Sequence, residues 1–234
     1  LSDRTILLGE LRGDLSEVQD IASADLRELA NFNISTENKY NAPRDYYAVI
    51  NNCNYFLAKA DTMVKNSKNE RIFAKEYAAV KAFRAWTYLQ LVLNYGKVPL
   101  ITTPILTKDD ADRQYEMKDI QGICNYFASD IAPYANVETP DYGTIRGNDS
   151  KLFYFPIYVL MGDMNLWAGN YREAALCYYK YINSRNGSNS SYPIDKRTVS
   201  WSSSDSKWRM IEDGWSSDFQ VESNSATSEL ITEI

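Results

Sequence analysis

The sequence predicts an all-α fold: helical hairpins with long irregular loops, followed by a Ser-rich, largely non-helical C-terminal section. Three observations carry that prediction. Apolar residues recur at spacings of three and four along successive stretches, the period of one helix face. No stretch shows the strict alternation of a half-buried strand. Between the periodic stretches lie Gly, Pro and Asn/Ser clusters, which stop helices and make turns.

The elements follow in order. Leu15, Val18, Ile21, Ala22, Leu26 and Leu29 predict a helix over 14–29. Tyr47, Ile50, Cys53, Leu57, Ala60 and Val64 predict one over 43–64, entered at Pro43, where the missing N–H costs nothing. After the turn Asn66-Ser67-Lys68-Asn69, a helix over 70–95 carries Phe73, Tyr77, Val80, Phe83, Trp86, Leu89, Leu91, Val92 and Leu93. Its later half is apolar nearly all round, so it is expected at the centre. Gly96 ends it as a left-handed cap, with Pro99 close behind.

A loop containing Lys108-Asp109-Asp110-Ala111-Asp112-Arg113 leads to a helix over 118–135, with Ile120, Ile123, Cys124, Phe127, Ile131 and Tyr134. Residues 139–150 are rich in turn formers; Pro156 opens a helix through Trp167, and Gly169-Asn170-Tyr171 turns into the last, ending near Ser184. Residues 1–185 are therefore read as one helical repeat domain. Residues 186–234, where the composition turns to Asn, Gly and Ser, are read as an irregular extension packed on it.

Composition removes several functions. Of 234 residues, 25 are Lys or Arg and 31 Asp or Glu, a net charge of −6, which argues against nucleic acid as a partner. There is no histidine, which excludes Ser-His-Asp and Cys-His catalysis and every His-containing zinc site. Cys53, Cys124 and Cys177 are odd in number and far apart, forming neither a disulfide framework nor a zinc knuckle. No apolar run reaches the roughly 20 residues of a membrane span. Asp109, Asp110 and Asp112 lack the spacing of a calcium loop and read as a solvated charge cluster. Arg84, inside an apolar helix, needs a partner if buried and reads as one end of a structural ion pair between helices, with acids such as Glu76 read as its partners or as caps. No metal, no cofactor and no catalytic residue is called for by any motif.

Gly162, Ala174 and Tyr178, around the turn Gly169-Asn170-Tyr171, are similar in spacing to a tetratricopeptide repeat, with Asn165 in a position such repeats give to an aromatic residue. A longer match runs through the central helix: Glu76, Phe83-Arg84-Ala85, Tyr88, Leu91, Tyr95-Gly96 and Val98-Pro99-Leu100. With Leu11-Arg12-Gly13-Asp14, the helix holding Tyr47, Ile50, Cys53-Asn54-Tyr55-Phe56-Leu57, then Ser129-Asp130-Ile131 and Glu229-Leu230-Ile231, the chain resembles the RagB/SusD family of nutrient-binding outer-membrane lipoproteins.

That resemblance implies noncatalytic capture of oligosaccharide or polysaccharide at the cell surface. It also implies delivery to a SusC-like TonB-dependent outer-membrane transporter and attachment to the membrane only through a lipid anchor that this chain lacks. Members are longer, so the chain is expected to be a fragment. A repeat-type protein–protein scaffold and an all-α glycosidase with paired carboxylates remain as alternatives.

Sugar binding needs flat rings against pyranose faces and amides or charged groups on the hydroxyls. Two regions supply both. The loop 32–41 offers Asn38, Tyr40 and Asn41; the C-terminal section offers Trp201, Trp208 and Trp215. These six are the candidate ligand-binding residues.

Overall fold

A computed structural model of the chain describes residues 8–9, 11–13, 17–69, 71–185, 200–202, 204 and 206–209. Its helices are α1 (Ala24–Ala30), α2 (Pro43–Lys59), α3 (Ala74–Tyr95), α4 (Lys108–Asp112), α5 (Ile120–Ile131), α6 (Ile157–Trp167) and α7 (Tyr171–Arg185). The mostly helical prediction holds. α3 sits at the centre, packed by α2, α5 and α6, while α6 pairs with α7. Ala78, Ala82 and Ala85 give α3 a smooth flank, so its neighbours approach closely. Around it lie Tyr46 and Ile50 of α2, Ile123, Phe127 and Ile131 of α5, and Leu160 and Met164 of α6, all buried. Burying side chains of this size stabilises by about 1.5–3 kcal/mol each. Tyr88 of α3 stacks on Phe127 of α5 at 4.7 Å, joining the two across the core.

The repeat-like spacing of the last hairpin has a direct cause. A Cβ on Gly162 would lie 2.4 Å from Tyr178 Cε1, so only glycine lets α6 and α7 close to this distance. Asn165, in the aromatic position, donates to Met161 O at 2.8 Å and accepts from Asn170 Nδ2 at 3.2 Å, stitching the turn.

α3 stops at Gly96, whose φ of +74° suits a residue without Cβ, and whose N–H reaches Val92 O at 2.7 Å. Beyond it runs a strap. β1 (Lys97–Pro99) pairs antiparallel with β2 (Met117–Asp119), Val98 opposite Lys118. From Pro99 to Ile105 the strap's backbone is tied by helix side chains. Tyr47 Oη donates to Pro99 O at 2.9 Å, Tyr88 Oη to Ile101 O at 3.0 Å, and Asn54 Nδ2 to Ile101 O and Thr103 O at 2.9 and 3.1 Å. Asn51 exchanges two bonds with Ile105. Buried backbone must be paired, and here side chains do what a sheet would otherwise do.

Several expectations need correcting. The first helix is only Ala24–Ala30: Ser23 has ψ of 155°, which breaks the run, and Ile21 is 92% exposed rather than on a core face. The second ends at Lys59, not Val64, which is exposed. Short strands exist that sequence periodicity does not reveal. Besides β1 and β2 these are a tight hairpin, β3 (Thr144–Ile145) with β4 (Asn148–Asp149), turning at Arg146 and Gly147 with positive φ, and β5 (Ser200–Ser202) with β6 (Lys207–Arg209).

Arg84 forms the expected ion pair between helices, with Asp130 rather than Glu76. Its guanidinium reaches Asp130 Oδ2 of α5 and Asn54 Oδ1 of α2, both at 2.8 Å, and Lys81 shares Asp130 at 2.5 Å. Glu76 instead accepts from Tyr142 Oη at 2.7 Å, and that bond pushes the phenol up to about 12. Asp110 is taken up in starting α4: its carboxylate accepts from Thr107 and Leu106, and these bonds hold it below the usual range. The three cysteines are buried, and burial pushes the Cys53 and Cys124 thiols up to about 11. Most of 186–234, and with it the expected packing of that section, lies outside the described residues.

Candidate functional site

The loop between α1 and α2 carries the predicted residues Asn38, Tyr40 and Asn41, and its shape starts at the end of α1. Asn33 N–H reaches back to Glu28 O at 3.0 Å and Phe32 N–H to Leu29 O at 3.1 Å, a Schellman closure. The residue in the left-handed position is Phe32, with φ of +54°, where glycine is favoured. Its ring is 70% exposed. A bulky residue in that conformation is strained by about 1–2 kcal/mol.

Glu28 then organises the loop. Its Oε2 accepts from Asn38 Nδ2 at 2.9 Å, from Ser35 Oγ at 2.9 Å and from Ser35 N at 3.0 Å. The Asn38 bond, followed by those of Ser35, holds this carboxyl below the usual carboxylate range.

Asn38 itself is 3% exposed. Its amide also donates to Asp25 O at 3.0 Å, and its Oδ1 accepts from Tyr40 N at 3.0 Å. Both amide protons and the carbonyl are used within the loop, so Asn38 positions Tyr40 rather than facing a ligand. Tyr40 and Asn41 face outward into a cleft. Asn41 Nδ2 donates to Ser35 O at 3.2 Å, and Lys39 Nζ lies 4.9 Å from the Tyr40 ring centroid.

The cleft measures about 190 Å³ and is closed by two segments far away in sequence: Asn94 and Tyr95 at the end of α3, and Leu8 and Arg12. Arg12 donates to Asn94 Oδ1 and to Leu8 O, which fixes the N-terminal segment against α3. Two rings, two amides and a guanidinium thus meet over an apolar base that includes Ile34. The space is smaller than the roughly 300–1,000 Å³ of a drug-sized pocket. Arg12, Asn94 and Tyr95 were not among the predicted site residues; Arg12 and Tyr95 belong to the motifs at 11–14 and 76–100, and Asn94 falls between named positions of the second.

Of the tryptophans, Trp201 and Trp208 occupy opposed positions in the β5–β6 register. Trp215 lies outside the described residues. A second, larger cleft of about 520 Å³ opens beside the other end of α3.

No family model matches the chain, and no curated protein matches it. Solved structures do. A SusD-like protein from Bacteroides fragilis aligns over 85% of this chain and 37% of its own, with a TM-score of 0.62 and 19% identity. A laminarin-binding SusD-like protein aligns over 83% and 45%, at TM-score 0.58 and 20% identity. A SusD-like carbohydrate-binding protein, also from Bacteroides fragilis, aligns over 85% and 43%, at 0.55 and 15%. The chain therefore spans less than half the length of these structures. What is shared at such identities is the architecture: the chain has the helical fold of the SusD/RagB type over most of its length.

Proposed function

We propose that the chain is the helical part of a noncatalytic glycan-binding protein. In this reading it works at the outer surface of a Gram-negative cell, held there by a lipid anchor in the whole protein, and passes oligosaccharide to a SusC-like TonB-dependent transporter. The observation that carries the reading is the cleft of Tyr40, Asn41, Asn94, Tyr95 and Arg12 on a fold shared with two structures described as laminarin-binding and carbohydrate-binding. Rings take the apolar faces of a pyranose, and the Asn41 amide and the Arg12 guanidinium take its hydroxyls; Asn94, whose amide is spent on Gln90 O, Tyr46 Oη and Arg12, holds Arg12 in place.

Calorimetry against laminarin and a panel of other polysaccharides tests this. Tyr40→Ala removes one ring, worth about 0.5–1.5 kcal/mol beyond area, and should weaken binding by about 3–10-fold without moving the melting temperature. Heat with none of the polysaccharides sinks the reading. Turnover of a glycan that disappears on changing a single Asp or Glu would replace it with the glycosidase alternative.

A further inference from the structure

The larger cleft lies beside the N-terminal half of α3. Ala78 and Ala79 form its base, and their small side chains leave the space open. One wall is aromatic: Tyr154, Phe155 and Tyr158. Phe155 is fixed by stacking on Trp86 at 5.0 Å and against Phe83 at 5.2 Å, so this wall is preformed. The opposite wall is the turn 135–141, held down on α3 by the Tyr142–Glu76 hydrogen bond. Across the rim run two ion pairs, Lys75 with Glu138 at 2.7 Å and Lys151 with Asp141 at 3.0 Å. Tyr158 Oη donates to Asn136 Oδ1 at 2.9 Å, which orients that amide at the mouth.

The charges cancel in pairs. Two ammonium groups and two carboxylates give the rim no net field to attract an anion or a cation. What the rim presents is a set of alternating donors and acceptors above flat rings, in a volume of about 520 Å³, within the range of organic ligand sites. That chemistry fits a neutral, polyhydroxylated ligand with apolar faces, the same class as the smaller cleft.

α3 also sets the spacing. Ala79 borders one cleft and Asn94 the other, and 15 residues of helix at about 1.5 Å each separate them by about 22 Å along the axis.

We infer that the cleft beside Ala78 and Ala79 is a second glycan-binding site, and that a single polysaccharide chain engages both clefts, with α3 as the fixed spacer between them. The inference rests on the glycan-binding reading above. Each site holds a short segment weakly. Simultaneous engagement makes the second contact intramolecular, which raises apparent affinity by about 10²–10⁴-fold when the geometry permits.

The test titrates laminaritriose, maltotriose, mannotriose and xylotriose, and the parent polysaccharide of any that binds, into the whole chain. The expected result is two sites for a trisaccharide. Tyr40→Ala weakens one; Ala79→Trp, which fills the base of the larger cleft, abolishes the other. Asn136→Ala and Tyr158→Ala sit on its half-exposed rim and read the same site if Ala79→Trp does not fold. Either set of variants should lower polysaccharide affinity by 10-fold or more.

A single site, weakened by Tyr40→Ala and unmoved by folded variants of the larger cleft, overturns this inference and leaves the glycan-binding reading standing. A single site lost only in the larger-cleft variants upholds the cleft as a glycan site, overturning the two-cleft arrangement and the assignment of Tyr40. No binding of any trisaccharide or polysaccharide overturns both.

Discussion

Adding one methyl group at Gly162 should uncouple the α6–α7 hairpin. The new Cβ would sit 2.4 Å from Tyr178 Cε1 and 2.7 Å from Cδ1 and Cζ. Carbon atoms rest about 3.5–4.0 Å apart, so the ring must retreat by about 1 Å or more. It has little freedom to do so, because Tyr178 Oη is held by Asp163 Oδ1 at 2.6 Å. Overpacking of this kind costs about 1–3 kcal/mol, and losing a hydrogen bond to a carboxylate about 1.5–3 kcal/mol more. Against this stands a gain of about 1 kcal/mol from replacing glycine by alanine within a helix.

The net expectation for Gly162→Ala is a loss of about 2–5 kcal/mol, read as a fall in melting temperature of about 5–15 °C for a chain of this size. Calorimetric melting of wild type, Gly162→Ala, Tyr178→Ala and the double variant separates the terms. With the ring gone, Gly162→Ala should become neutral or mildly stabilising. A coupling energy below about 0.5 kcal/mol between the two positions would refute the close-approach account.

Three further outcomes follow from the geometry. Phe32→Ala and Phe32→Gly delete the same exposed ring, but only glycine relieves the left-handed backbone, so the glycine variant should melt higher by about 0.5–1 kcal/mol of stability; equal melting would mean no strain at this position.

Burial raises the Asp163 carboxyl above its ordinary value, with the Tyr178 bond opposing, so its contribution to stability is present below that ordinary value and is lost as pH rises through the folded value. Asp163→Asn should therefore gain on wild type as pH climbs from about 3 to 7 in urea titrations; parallel curves would contradict this.

Asp130→Ala leaves the Arg84 and Lys81 cations facing each other without their shared carboxylate, and a loss of about 3–5 kcal/mol is expected in urea unfolding, where a loss under 1 kcal/mol would show the cluster to be structurally idle.

How much could be read in advance divides by physical range. The helices α2, α3, α5, α6 and α7 announce themselves through local periodicity, and Gly162 with Tyr178 through a spacing that only close packing explains. β1 and β2 do not, because three-residue strands carry too little pattern and their pairing joins positions 22 residues apart at Lys97 and Asp119. Arg84 in an apolar helix is legible as one end of an ion pair between helices, but which acid completes it is not: Asp130 faces it from α5, a relation that helix periodicity does not encode. The site divides the same way. Tyr40 and Asn41 are legible as an aromatic and an amide on a loop between helices. Asn38 has the same chemistry but is turned inward by Glu28, and Arg12, Asn94 and Tyr95 join the cleft only through the tertiary fold.

The strap after α3 bears on what such a sequence can reveal at all. Asn54, Arg84 and Tyr88, and the Val98-Pro99-Leu100 exit, are among the residues that carry the resemblance, and Asn54, Tyr88 and the two terminal nitrogens of Arg84 bond inward to the backbone between Pro99 and Thr103, to one another or to Asp130. They work as a latch. On the glycan-binding reading proposed above, sugar selectivity would reside in other residues, on loops that can vary without loosening the latch. Two proteins with the same latch could then differ in the ligand they take, and likeness along this stretch predicts the architecture while leaving the ligand unspecified.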